Sequence, residues 1–380
     1  MRRFALLSLG LAVAVLVGLG LVVLMSASEV RGAERYSDAL YFFKRQCVYV
    51  ALGLVTATAA AAFDYRRWRD HATLSSLFYF GVFVALLAVF LFPATKGSHR
   101  WITLGPASFQ PGEFAKIATA LMVAVWIDRA SWRVELFKNG ALFPALIVAG
   151  MAVPVLLEPD FGSVMVIGAV GFLLMFVGGT RVLHLAPFAA AGVAVVVWKV
   201  LHNANRMARI AAFTGLAAAG DATSSAAGHQ AEMSRVAIAR GGVYGVGLMR
   251  SMQKQKYLPE AWTDCIFAIG AEEMGLLFSV AVVVLFFAFF FLSIAIARKA
   301  PDRFGRLVVV GMSFIVFFQA MFNLGVVCEA LPTKGMALPF FSYGGTNMIA
   351  SFFAVGMIIS VGIRSLGETR ERPFQRKARA

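Results

Sequence analysis

The feature that most constrains this chain is a succession of apolar runs, each close to the thickness of a lipid bilayer. They lie near 4–25, 46–63, 73–92, 114–128, 140–157, 162–178, 184–201, 266–296, 307–327 and 346–363. About 20 apolar residues in a helix cross the hydrocarbon core. The fourth run is short for this, and the eighth is long enough to tilt or to begin above the bilayer. Of the 380 residues, 60% are apolar and 14% charged, against roughly a quarter charged in soluble domains. Such a chain cannot cover a water-facing surface with polar groups. The fold class read here is an all-α polytopic integral membrane protein of about ten transmembrane helices. The first run, from Phe4 to about Met25, exceeds the roughly 7–15 residues of a signal-peptide core and reads as a retained helix.

Charge sets the expected topology. The formal net charge is +15, and nineteen of the 35 Lys and Arg residues fall in one alternate set of connections and at both ends of the chain. Basic residues in short loops mark the cytoplasmic side. With ten spans, both termini are expected in the cytoplasm, and the large loop between the seventh and eighth helices outside it. This scatter of basic residues excludes a nucleic-acid patch and suits membrane lipids and phosphate-bearing lipid substrates. Residues 1–366 read as one membrane domain and residues 367–380 as a basic, disordered cytoplasmic tail. Cys47, Cys265 and Cys328 are too few and too apolar in context for a disulfide framework. The five histidines are dispersed, without metal-ligand spacing, so no metal site is read.

The candidate chemistry collects on the expected outer face. Two long connections lie there, 96–114 and His202 to Thr263, and loops beyond about 15 residues are usually functional or disordered. Within the second, His229 to Arg240 has helical spacing, stopped by Gly241 and Gly242. The same face holds Glu113, Glu158, Asp160, Glu260, Asp264, Glu272, Glu273 and Glu329, with Arg45, Arg100, Lys116 and Lys334 among its cations. Acids near lipid are expensive and tend to mark function. Each has a plainer reading. Glu113 and Lys116 share a helix face and can form an ion pair that eases insertion. Glu158-Pro159-Asp160 can be a solvated turn that caps the next helix. Asp264, just before an apolar run, sits where an N-cap belongs. Glu272 and Glu273, deeper in that run, suggest a cavity or a proton path. Ser342, in an irregular stretch rich in Pro and Gly, packs into the protein or lines its cavity. Lys334 is either a snorkelling anchor or a phosphate contact.

Six segments in order carry a resemblance: FFKRQ (42–46), HRWITLGPASFQPGEFAK (99–116), EPDFGSVMVI (158–167), ARGGVYGVGL (239–248), YLPEAWTDCIFAIGAEEMG (257–275) and LPTKGMALPFFSYGGTN (331–347). Together they resemble the SEDS family (shape, elongation, division and sporulation proteins) over nearly the whole chain. LPTKG and QKQKYLPEA are more similar to the FtsW division branch than to the RodA branch. Three family segments differ here. The usual His-Thr-Asp-Phe is Trp262-Thr263-Asp264-Cys265, Gln-Pro-Ser-Glu is Gln110-Pro111-Gly112-Glu113, and Tyr-Gln is His229-Gln230.

The resemblance implies a peptidoglycan glycosyltransferase that polymerises lipid II into glycan strands at the outer face of the bacterial cytoplasmic membrane, with septal synthesis at the division site expected. It implies lipid II, the growing lipid-linked strand, a class B penicillin-binding protein and other divisome proteins as partners. The family's essential aspartate maps onto Asp264. An α-linked donor giving a β-linked product implies inversion in one displacement. A carboxylate base suits that step and is typically worth about 10²–10⁴-fold, and cations would stabilise the departing pyrophosphate. The expected roles are Asp264 as base and Arg45, Arg100, Lys116 and Lys334 around the phosphates. Glu113, Glu158, Asp160, Gln230, Glu260 and Ser342 are expected to bind substrate. A divalent cation such as Mg2+ is the one cofactor left open, and no ligand cluster supports it. The alternatives are an elongation polymerase of the RodA type, a lipid II flippase needing access from both faces and no base, and a scaffold that only recruits its partner.

Overall fold

A computed structural model describes residues 2–94, 98–105, 107–202, 207, 226–255, 258, 261–331 and 335–377. The helices are α1 (Arg2–Tyr36), α2 (Tyr41–Ala62), α3 (Arg66–Asp70), α4 (Ala72–Ala88), α5 (Pro111–Ala130), α6 (Phe143–Leu157) and α7 (Phe161–Val177). They continue with α8 (Val182–Leu201), α9 (Ala226–Gly241), α10 (Ile266–Ala297), α11 (Arg303–Val327) and α12 (Gly345–Lys377). Each of the ten expected runs falls on a helix. Among the described residues, seven helices are long and apolar enough to cross a membrane, and α7 and α8 supply shorter apolar stretches. The remaining run, on α5, is 20 residues long rather than short. It carries charge because it is enclosed by protein, so its composition need not suit lipid.

Three boundaries differ from expectation. Helix α1 continues eleven residues past Met25 to Tyr36, because polar residues there find buried partners instead of water. Ser26 Oγ donates to Glu273 Oε1 at 2.5 Å, and Lys254 Nζ reaches Glu29 Oε2 at 3.0 Å. Helix α12 runs to Lys377, through most of the segment expected to be a disordered tail. Extending an existing helix avoids the cost of nucleation. The connection before α5 contains a β-hairpin, β1 (Ile102–Leu104) and β2 (Ala107–Phe109), antiparallel with Ile102 opposite Phe109. The strands are too short to leave a period-2 signal in the sequence.

Helices α5 and α11 form the centre. Most of their residues are buried, including Ile117, Leu121, Val308, Met312 and Ala320. Around them, small residues let backbones approach. A Cβ at Gly53 of α2 would meet the Phe352 ring of α12 at 2.3 Å, and one at Gly356 would meet Ala57 O at 2.4 Å. The outward surface keeps large apolar side chains exposed, among them Leu7, Leu77, Leu183 and Phe291, as a lipid-facing surface requires.

Helix α10 is broken at Gly275, whose φ is +74°. The ARGGVYGVGL segment fills the break. Leu276 N donates to Gly242 O at 2.9 Å, while Val246 N and Gly247 N donate to Glu272 O and Glu273 O at 3.0 Å. Backbone groups freed by the kink are thus satisfied by a docked loop. Alternate connections gather at opposite ends of the bundle. One end ties Arg66 and Arg69 to Asp302 and Arg364 to Asp64. The other end holds the candidate site.

Candidate functional site

Four connections converge at that end. The β-hairpin region brings Arg100, Trp101 and Gln110; the α6–α7 turn brings Asp160. The turn before α10 brings Thr263 and Asp264, and the segment before α12 brings Gly335 to Ala337, Tyr343 and Gly344. With Glu113, Lys116, Ser163, Gln319 and Asn347 they enclose a cavity of about 300 Å³. Asp264 is among the residues that line it.

Asp264 lies in the turn 261–265. The helix N-cap falls one residue later, on Cys265, which makes no side-chain cap bond. The capping role read for Asp264 is replaced by this position. The turn is pinned from two sides. Asn323 Nδ2 donates to Asp264 O at 2.8 Å and to Met336 O at 2.6 Å. Ser342 Oγ donates to Thr263 O at 2.6 Å, and Tyr343 N to Trp262 O at 3.0 Å. Gly335 packs directly on the carboxylate: a Cβ there would stand 2.2 Å from Asp264 Oδ2. Gly335 leaves room that another residue would fill.

Lys116 is almost fully buried. Its Nζ donates to Glu113 Oε2 and to Gln319 Oε1, each at 2.7 Å. Gln319 Nε2 donates onward to Ala337 O at 2.9 Å and to Asn347 Oδ1 at 3.4 Å. The ion pair read for Glu113 and Lys116 exists, and it belongs to a network that ties α5, α11 and α12 around the cavity. Buried charges need such pairing because desolvation otherwise costs on the order of several kcal/mol per ion.

Arg100 Nη2 donates to Pro159 O at 2.7 Å and its Nε to Glu158 O at 3.2 Å. The hairpin is thereby held against the Glu-Pro-Asp turn. Asp160 caps α7, accepting from Ser163 N at 3.4 Å and Ser163 Oγ at 2.8 Å. Glu158 is buried, contrary to the solvated-turn reading, and its Oε1 has no hydrogen-bond partner. Burial chiefly, with the neighbouring Asp160 charge, raises its carboxyl to about 8, and Arg100 acts in the opposite direction.

Of the expected site residues, Asp264, Arg100, Glu113, Lys116 and Asp160 line the cavity. Gln230 stands on the other side of Asp264, bordering a small cleft with it and donating to Cys265 Sγ at 2.9 Å. Arg45 is outside the lining and donates to Tyr41 Oη and Tyr49 Oη. Glu158 and Ser342 are also outside it. The Ser342 hydroxyl joins two backbone strands, accepting from Leu338 N as well as donating to Thr263 O. Glu260 and Lys334 lie outside the described residues.

Glu272 and Glu273 are not among the residues lining the cavity around Asp264. Glu272 accepts from Ser251 Oγ and from Met252 N and Gln253 N, and Glu273 from Ser26 Oγ and Ser251 N. They bind the loop 241–254 to α10 and α1. Reading acids singly missed Gln319 and Asn323. These are polar residues four apart in the apolar C-terminal half of α11, and that pattern was available as a signal. Among the described residues, no three His, Cys, Asp or Glu side chains are placed to hold a metal ion.

The family described as "Cell cycle protein", comprising FtsW, RodA and SpoVE, matches residues 7–365. The protein named probable peptidoglycan glycosyltransferase FtsW of Trichlorobacter lovleyi is 37% identical over 356 residues, covering 92% of this chain and 91% of its own. Its namesake in Geobacter metallireducens is 36% identical over 371 residues, 96% of each chain. A solved chain from a peptidoglycan synthase complex coordinating polymerization and crosslinking superposes with a TM-score of 0.74 at 26% identity, covering 94% of this chain and 97% of that one. The rod shape determining protein RodA of Thermus thermophilus gives 0.66 at 25% identity, covering 93% and 95%.

Proposed function

Because this chain belongs to the FtsW, RodA and SpoVE family, we propose that it is a peptidoglycan glycosyltransferase that polymerises lipid II, with Asp264 as the general base. The observation that carries this reading is one cavity of about 300 Å³ bordered by the Asp264 carboxylate and by Arg100 and Lys116. The acceptor's 4-hydroxyl gives its proton to Asp264 as its oxygen bonds the donor's anomeric carbon. The bond from that carbon to pyrophosphate breaks, and its electron pair leaves with the lipid pyrophosphate. The configuration inverts. Arg100 and Lys116 place positive charge where negative charge develops. No step is routed through a metal.

The cavity end faces outward and both termini face the cytoplasm of a bacterial inner membrane. The basic residues support this orientation, since Arg66, Arg69, Arg303 and Arg364 sit at the opposite end. The curated relatives, named FtsW, and the LPTKG form support septal synthesis over elongation. The relative solved in a synthase complex supports a crosslinking transpeptidase as partner.

The test is lipid II polymerisation in reconstituted vesicles, with and without a cognate class B transpeptidase. Wild type should make glycan strands, and Asp264→Ala should lose at least about 10²-fold in rate. Full activity in Asp264→Ala would remove the base assignment. Lipid II translocation without polymer by the wild-type protein would favour a flippase.

A further inference from the structure

An aromatic strip leads out of the cavity. It starts at Tyr343, which lines the cavity with Asp264. The Tyr343 ring meets Phe42 edge-on at 5.1 Å between centroids, and Phe42 meets Tyr36 at 5.7 Å. Trp262, two residues before Asp264, stacks on Phe42 at 5.9 Å, and Tyr41 stacks on Tyr36 at 3.7 Å. The strip ends in the open, where Tyr36 is 41% exposed.

Arginines border it. Arg31 lies over the Trp262 ring at 5.5 Å, Arg35 over Tyr36 at 5.7 Å, and Arg45 between Tyr41 and Tyr49. Arg31 and Arg35 are exposed. The nearby Asp38 is engaged by Lys44 at 2.8 Å.

We infer that this strip binds the growing glycan strand as it leaves the cavity, taking sugar rings on Tyr343 and Tyr36, which flank the buried Phe42, and stem-peptide carboxylates on Arg31 and Arg35. This rests on the glycosyltransferase reading above. A pyranose presents C–H groups from its flat faces, and these suit the negative face of an aromatic ring. Carboxylates complement the bordering guanidinium groups. Interfacial Trp and Tyr can also anchor a protein among lipid headgroups. Two of these rings, however, sit on the backbone segments that build the site, since Tyr343 N donates to Trp262 O at 3.0 Å. That continuity selects a ligand shared with the cavity.

The probe is a lipid-free octasaccharide of alternating N-acetylglucosamine and N-acetylmuramic acid with stem peptides, titrated calorimetrically into the full chain in detergent. Wild type should bind it. Combining Arg31→Ala with Tyr36→Ala should weaken binding at least tenfold, and Tyr36→Phe, which keeps the ring, should bind like wild type. Removing the stem peptides from the probe should weaken wild-type binding and abolish the effect of Arg31→Ala alone. Asp264→Asn should lose polymerisation and still bind, which separates the strip from the chemistry. Equal binding by wild type and the double variant would overturn the inference, as would no binding by a wild type that polymerises lipid II. Loss of binding in Tyr36→Phe would also overturn it. So would a double variant that keeps the saccharide but loses its transpeptidase or its flotation with phosphatidylglycerol vesicles, because the strip would then serve protein or lipid. A wild type that binds the saccharide and makes no polymer would sink the glycosyltransferase reading instead.

Discussion

At the scale of single residues, the site depends on how closely backbone packs on one carboxylate. Gly335→Ala would place a methyl against Asp264 Oδ2 and move the proposed base. Misplacing a reacting group by about 1 Å can cost roughly 10²-fold. Polymerisation should fall by about that factor, with the melting temperature nearly unchanged because Gly335 is exposed. Glu158 makes a second prediction, about pH. Its folded pKa of about 8 is above the unfolded value of roughly 4.3. The folded state therefore holds the proton more tightly, and stability present below the unfolded value is lost as pH rises through the folded one. Glu158→Gln should flatten the fall in melting temperature between pH 5 and 8. At pH 8 it should exceed wild type by about 1 kcal/mol or more, roughly 2–4 °C. Thermal unfolding in detergent across that range measures it. A variant with the wild-type slope would contradict the assignment.

At the scale of elements, the broken helix α10 and its docked loop act as one unit. A Cβ at Gly275 would approach Gly245 N and Val243 O at 2.5 Å, at a φ of +74°. Gly275→Ala should cost about 2 kcal/mol or more through strain and lost packing. It should also speed hydrogen exchange of the Val246 and Gly247 amides. Glu272→Ala should release the loop near Met252, because the Met252 and Gln253 N–H groups lose their acceptor; limited proteolysis within 249–255 would report this. Much of this element was legible beforehand. The stop at Gly241 and the helical spacing before it are local properties, and α9 follows them. The kink was not legible, since a lone glycine inside an apolar run does not say whether another backbone will occupy the gap.

At the scale of the whole molecule, the Lys116 network joins three helices around the cavity. Lys116→Met should leave Glu113 buried without its partner and cost about 3–5 kcal/mol. Combining it with Glu113→Leu should recover most of that stability, since an apolar pair of similar volume often replaces a buried ion pair without loss. The double variant should still polymerise lipid II poorly, because a cation lining the cavity is gone. Melting temperatures and polymerisation rates of the three proteins separate the two contributions. Recovered activity in the double variant would make the pair structural only.

The sequence by itself determined where the helices lie and which acid to suspect. Span length and apolar continuity are local, and six ordered segments outlined one family and pointed to Asp264. Tertiary structure alone decided what Asp160, Glu113, Glu158, Glu272 and Glu273 do. Asp160 and Glu113 turn to the cavity, Glu158 is buried beside it, and Glu272 and Glu273 hold a loop. Those fates depend on which distant residues pack against each carboxylate, such as Ser251 and Ser26 on Glu273. No window of sequence contains that information. The same holds for α5, whose charges look unsuited to a membrane until the surrounding helices remove it from lipid.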